Sequence, residues 1–128
     1  MIFGTGIDLI EVERVQRALE RPLTGARFKQ RVFTAGEIAY CESRGRARFQ
    51  SYAARFAAKE AAMKALGTGW NRNVGWQDIE VFRARGSRPT IKLWGKAAEF
   101  ASRRQITGFQ LSISHSAVHA IAHVIAEV

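Results

Sequence analysis

The sequence predicts an α+β fold: a single compact domain over residues 1–128, with a largely antiparallel sheet and one long central helix. Three observations point there. Residues 48–66, RFQSYAARFAAKEAAMKAL, are rich in strong helix formers and run into a glycine stop, GTG at 67–69. Strand-like segments stand at both ends of the chain, with a hairpin-like pair between them. Helices and strands do not alternate strictly, which favours α+β over a doubly wound parallel sheet.

Taken in order, residues 2–9 read as a strand. Glu11 to Glu20 reads as a helix, with Val12, Val15, Ala18 and Leu19 on one side. Arg14, Arg17 and Arg21 project from the other side at i, i+3, i+7 spacing, and Pro22 and Gly25 end the helix. Residues 26–45 carry no clear pattern apart from TAGEIAYCESR, a short helix capped at Thr34 with Glu37 three residues later. The long helix is followed by a loop through Asn71, Asn73 and Gly75. DIEVFRA and TIKLW then form two strands about the turn RGSRP. Residues 95–104 read as a helix, and 109–114 and 119–127 as strands about a turn near SHSAV. The element order is β-α-(α)-α-β-β-α-β-β.

Composition narrows the function classes. The 47% hydrophobic and 24% charged residues are those of an ordinary globular protein. No apolar stretch approaches the roughly 20 residues that span a bilayer. The N-terminus lacks the basic region and cleavage site of a signal peptide, so a cytoplasmic location is expected. Cys41 is the single cysteine, which rules out an intramolecular disulfide and a Cys-rich metal site. The net charge of +9, from 20 Lys+Arg against 11 Asp+Glu, implies either a solvated basic surface or an acidic partner. That partner class includes nucleic acid, an anionic membrane, a phosphorylated ligand and an acidic protein. The basic residues concentrate between Arg14 and Arg31 and again at Arg44, Arg46, Arg48 and Arg55.

Two carboxylates stand out. With a period of two, Asp8 shares a strand face with Gly4, Gly6 and Ile10, and the glycines leave room there for a backbone, a helix or a ligand. Asp8 is either a helix N-cap or a site residue. Glu60 is placed by helix geometry. At about 100° per residue, with Phe56 at zero, Glu60 falls near 40°, inside the stripe of Phe49, Tyr52, Ala53 and Met63. A carboxylate there is costly unless it is paired. Its partner is either Lys64, at i+4 in the favourable order, or a hard cation shared with a second carboxylate. Asp8 is the obvious second ligand. The remaining signals are weaker. GTG is either a plain helix stop or a turn that offers backbone N–H groups to phosphate, and it is not a Walker A loop. His115, between Ser114 and Ser116, either binds phosphate or is a turn residue. His119 and His123 lie on a strand, a poor setting for a zinc pair.

Together these segments resemble the holo-[acyl-carrier-protein] synthase family, the small 4′-phosphopantetheinyl transferases of bacterial fatty-acid synthesis. GTGIDLIEVERV is similar to the family's first motif, RFAAKEAAMKALGTG at 55–69 to its second, and LSISHSAVHAIAHVIAE to its third. The hairpin turn departs from the family's Gly-x-Pro pattern, since Ser87 and Arg88 stand between Gly86 and Pro89. The resemblance implies the 4′-phosphopantetheinyl transferase fold, with coenzyme A as co-substrate and acidic apo-acyl carrier protein as acceptor. It implies Mg²⁺ on Asp8 and Glu60, and Lys64 near the coenzyme A phosphates. It places Arg55, Gly67, His115 and Ser116 at nucleotide-binding positions. Arg14 matches a docking arginine, with Arg17 and Arg21 beside it. Either Glu60 or a water on the metal takes the serine proton. A homotrimer with sites at subunit boundaries is also implied.

The rival is a small basic nucleic-acid-binding protein. Against it, no nucleic-acid motif is present, and Phe49, Tyr52 and Phe56 form a core-like stripe with no use for a carboxylate. Neither nucleic acid nor a membrane is expected as a partner.

Overall fold

The computed structural model describes residues 1–68 and 74–128. Strand β1 (Ile2–Glu11) leads directly into helix α1 (Val12–Glu20), followed by α2 (Gly25–Val32), α3 (Ala35–Glu42) and the long α4 (Arg48–Leu66). Strands β2 (Ile79–Phe82) and β3 (Thr90–Leu93) form a hairpin, then come α5 (Gly95–Arg103), β4 (Gly108–His115) and β5 (His119–Glu127). All strand pairs are antiparallel, but they divide into two sheets, one ordered β1-β5-β4 and one made of β2-β3.

Most elements fall where the pattern put them, and three details differ. β1 runs on to Glu11 because its pairing with β5 continues to Glu11↔His119. The segment without a clear pattern contains a full helix, α2. Gly25, expected to end α1, instead opens α2, and α1 stops at Arg21 in extended geometry just before Pro22. The capping box at α3 is formed as expected: Thr34 Oγ1 accepts from the Glu37 N–H, and Glu37 Oε1 accepts from the Thr34 N–H. Asn71 and Asn73 of the expected loop, and Gly69 of GTG, lie outside the described residues.

Helix α4 is the axis of the core. Ala53, Ala54, Ala57, Ala58, Ala61, Ala62 and Ala65 are all buried, and the facing strand β5 presents buried Ala120, Ala122, Val124 and Ala126. Small side chains on both surfaces let helix and sheet approach closely. Gly4 and Gly6 extend this fit into β1. A Cβ on Gly4 would collide with the Ala65 carbonyl, and one on Gly6 with the Ala61 carbonyl. The space beside Asp8 is therefore filled by the backbone of α4. At its C-terminus α4 closes on Gly67 at φ 80°, whose N–H donates to the Met63 and Lys64 carbonyls. The aromatic stripe is core, as expected: Tyr52 is fully buried with its ring edge-on to Phe33, and Phe56 stacks on Trp76.

Candidate active site

Asp8 lies in the middle of β1, opposite Ala122 of β5, with its side chain on the face that packs against α4. It is not a helix cap, because α1 begins four residues later, at Val12, with Glu11 at the cap position. The two glycines before it bring α4 so close that the Lys64 Cβ sits over Gly6. Lys64 Nζ consequently crosses to β1, donating to the Ile7 carbonyl at 2.8 Å and to Asp8 Oδ1 at 3.3 Å. The simple pairing of Glu60 with Lys64 along one helix is not what forms. The close approach of the two elements gives Lys64 a better partner across the gap.

Glu60 is left half-buried beside Asp8. Burial pushes its carboxyl above the usual range and the Asp8 charge pushes it further, while Lys64 and Arg14 pull it back. Asp8 is likewise held up by burial, against the hydrogen bond and charge of Lys64 and the charge of Arg14. The structure thus brings together two carboxylates and two cations from β1, α1 and α4. Two desolvated carboxylates, one raised further by the charge of the other, form a ready seat for a hard cation. No third His, Cys, Asp or Glu joins them among the described residues. That donor set suits a hydrated divalent ion that takes its other ligands from water and phosphate.

Arg55 and His115 meet in a different place. They line a cavity of about 320 Å³ with Tyr40, Arg83 and Arg88. Arg55 is buried, its guanidinium lies 3.9 Å from the centre of the Tyr40 ring, and its Nε has no hydrogen-bond partner. Three guanidinium groups and an imidazole around one cavity make an anion site. Arg55 precedes Glu60 by five residues on α4, about 140° around the helix, so the cavity and the carboxylates occupy different faces. Among the described residues, neither Asp8 nor Glu60 lines the cavity that holds Arg55 and His115. Gly67 ends α4 in the left-handed conformation. Ser116 holds the β4–β5 turn, its hydroxyl oxygen accepting from the N–H groups of Val118 and His119.

The arginine stripe of α1 divides in three. Arg14 acts on both carboxylates, Arg17 is tied to Glu13 at 2.7 Å, and Arg21 lines a groove with Arg27, Arg31 and Phe28 of α2. Sequence reasoning did not find Tyr40, Arg83 and Arg88 in the anion cavity. It also missed the fully buried ion pair of Lys59 with Glu37, at 2.8 Å. Lys59 reads from the sequence as one of the cations around Glu60, and Glu37 only as a capping residue. The one local signal for Lys59 is its helical position about 60° from Phe56, at the margin of the apolar stripe.

Comparison with known proteins identifies the family. The 4′-phosphopantetheinyl transferase superfamily matches residues 4–122. The chain is 52% identical over 127 residues to a holo-[acyl-carrier-protein] synthase of Solibacter usitatus, covering 99% of each chain. It is 49% identical to one of Koribacter versatilis, again over 99% of each. Among solved structures it resembles the Neisseria meningitidis holo-[acyl-carrier-protein] synthase with a TM-score of 0.89, at 29% identity and full coverage of both chains. The Helicobacter pylori enzyme in complex with coenzyme A gives a TM-score of 0.83 at 30% identity, covering 96% of this chain and 99% of that one.

Proposed function

The chain belongs to the 4′-phosphopantetheinyl transferase superfamily, and we propose that it is the holo-[acyl-carrier-protein] synthase of its cell. It moves the 4′-phosphopantetheine group of coenzyme A onto a serine hydroxyl of apo-acyl carrier protein, and so supports fatty-acid synthesis in the cytoplasm. The observation that carries this reading is the meeting of Asp8 and Glu60, with Lys64 and Arg14 around them.

In the reaction the serine Oγ attacks the β-phosphorus of coenzyme A. The bond from that phosphorus to the bridging oxygen breaks, and adenosine 3′,5′-bisphosphate leaves. Such transfers depend mainly on positioning and on neutralising phosphate charge. Asp8 and Glu60 would hold Mg²⁺, which would supply positive charge to offset that of the pyrophosphate. Lys64 releases Asp8 and turns its ammonium to the leaving phosphate. The Glu60 carboxylate receives the serine proton. The chain needs no nucleophile of its own, because the carrier protein brings the serine.

The anion cavity receives the phosphorylated ribose of coenzyme A through Arg55, Arg83, Arg88 and His115. Its separation from the carboxylates suits a homotrimer in which one chain's carboxylates face its neighbour's cavity. The outer face of the three-stranded sheet supports such an assembly. Ile7, Leu9 and Ile121 are 55%, 62% and 41% exposed there, an apolar face that further copies would cover. Arg14 and Arg21, with the arginines of α2, receive an acidic helix of the carrier protein. Among the described residues no helix is long and apolar enough to cross a membrane.

The direct test mixes the protein with coenzyme A, Mg²⁺ and apo-acyl carrier protein and reads the carrier by mass spectrometry. Addition of one phosphopantetheine on the carrier serine supports the assignment, and an unchanged carrier refutes it.

A further inference from the structure

Lys59 and Glu37 are both fully buried and form a 2.8 Å ion pair. All three Lys59 ammonium protons and both Glu37 carboxylate oxygens are engaged. Lys59 Nζ also donates to the carbonyls of Trp76 at 2.9 Å and Ile79 at 2.5 Å. Glu37 Oε2 accepts from the Val81 N–H at 2.7 Å, and Oε1 from the Thr34 N–H at 2.8 Å. The two side chains thereby clamp three segments: α3 through Glu37, α4 through Lys59, and the start of the β2–β3 hairpin through the backbone at 76–81.

Each clamped segment carries one wall of the anion cavity, a short step from its clamp. Tyr40 is three residues after Glu37 on α3, Arg55 is four before Lys59 on α4, and Arg83 is two after Val81. At the cavity these three touch: Arg55 lies over the Tyr40 ring at 3.9 Å, and Arg83 donates to the Tyr40 hydroxyl at 3.5 Å. Among the described residues no carboxylate lines the cavity, so Arg55, Arg83 and Arg88 repel one another when it holds no anion. Something behind them has to keep them convergent. A buried ion pair is a poor choice for stability alone, since well-packed apolar residues often serve equally well. Placed here, it fixes geometry.

We propose that Glu37 and Lys59 are positioning residues for the anion cavity, their buried pair holding Tyr40, Arg55 and Arg83 in register for a phosphorylated nucleoside. This rests on the nucleotide reading of that cavity.

The test is calorimetric titration of adenosine 3′,5′-bisphosphate into the wild type, Glu37→Gln, Arg55→Ala and Val32→Ala, well below every melting temperature. Val32 is buried in α2 and does not line the cavity, so its truncation is the control for a loss of stability. Glu37→Gln cannot accept from both N–H groups, and we expect its affinity to fall about 10-fold, with the KM for coenzyme A rising in parallel. Its KM for the carrier protein should stay at the wild-type value, and Val32→Ala should bind as the wild type does. If Glu37→Gln does not fold, the double variant Glu37→Leu with Lys59→Met, which removes both charges of the pair, takes its place, with the same loss expected. Wild-type affinity in Glu37→Gln or the double variant, with Arg55→Ala impaired, overturns the positioning role alone. Equal binding by wild type and Arg55→Ala overturns the nucleotide reading and the positioning role together.

Discussion

Lys64, on the central helix, hydrogen-bonds Asp8 on the first strand at 3.3 Å, although Glu60 stands one turn before it on its own helix. The choice follows from Gly4 and Gly6, which bring the backbone of α4 against β1. It leaves Lys64 poised between a carboxylate it can release and the phosphate it would meet.

Replacing Lys64 by alanine should therefore separate stability from activity. The Lys64 side chain is 51% exposed, so its ion pair with Asp8 contributes less than about 1 kcal/mol. Thermal melts should barely move, while kcat/KM for coenzyme A falls by about 10² or more. A large drop in melting temperature with little change in kcat/KM would assign Lys64 to the fold.

The metal-free protein should be more stable when its two carboxylates are protonated. Burial raises both Asp8 and Glu60 above the ordinary carboxylate range. A carboxyl raised in the folded state binds more protons there than in the unfolded chain. The stability this adds is fully present below the unfolded pKa and is lost as pH rises through the folded one. In EDTA at neutral pH, Asp8→Asn with Glu60→Gln should accordingly melt above the wild type, and the gap should close as the solution is acidified to about pH 4. Mg²⁺ should raise the wild type and leave the double variant unmoved. A double variant that melts lower than the wild type at neutral pH in EDTA would contradict this.

Arg14 acts on both carboxylates from α1 and is exposed to an incoming partner. Arg14→Ala should raise the KM for the carrier protein about 10-fold and flatten its dependence on salt, since exposed charges chiefly steer encounter. Affinity for adenosine 3′,5′-bisphosphate should be nearly unchanged, because Arg14 does not line the anion cavity. Equal losses for both substrates in steady-state kinetics would remove the docking role.

The outer face of the sheet offers a test of assembly. Ile7→Asp with Leu9→Asp places two charges on the exposed apolar strip, on the strand face opposite the Asp8 side chain. Light scattering should show the mass of a trimer for the wild type and of a single chain for the variant, with transfer activity lost on dissociation. A wild type that is monomeric and fully active would refute sites at subunit boundaries.

Local features were legible in the sequence where local physics sets them. Helix α4 carries strong helix formers up to a glycine stop and is found over the expected residues, 48–66. The capping box at Thr34 is a contact within one turn and formed as expected. Glu60 revealed itself by its angular position on α4 alone. Contacts between distant segments were not legible. The partner of Lys59 is Glu37, on the preceding helix, and no spacing rule links them. The preference of Lys64 for Asp8 over Glu60 depends on how closely β1 approaches α4. Helix α2 escaped notice because eight residues dominated by exposed basic and polar side chains bury only Gly25 and Val32. Arg83 and Arg88 look like an ordinary basic hairpin, and only the fold of β2–β3 against α3 and α4 turns them into cavity walls.

The central claim is that Asp8 and Glu60 together hold a divalent cation. Titration of Mn²⁺ into the metal-free protein, followed by electron paramagnetic resonance in the presence of coenzyme A, measures this without any turnover. One bound ion per chain is expected for the wild type, competed off by Mg²⁺, with binding lost in both Asp8→Asn and Glu60→Gln. Mn²⁺ bound with wild-type affinity by both variants would show that the ion sits elsewhere.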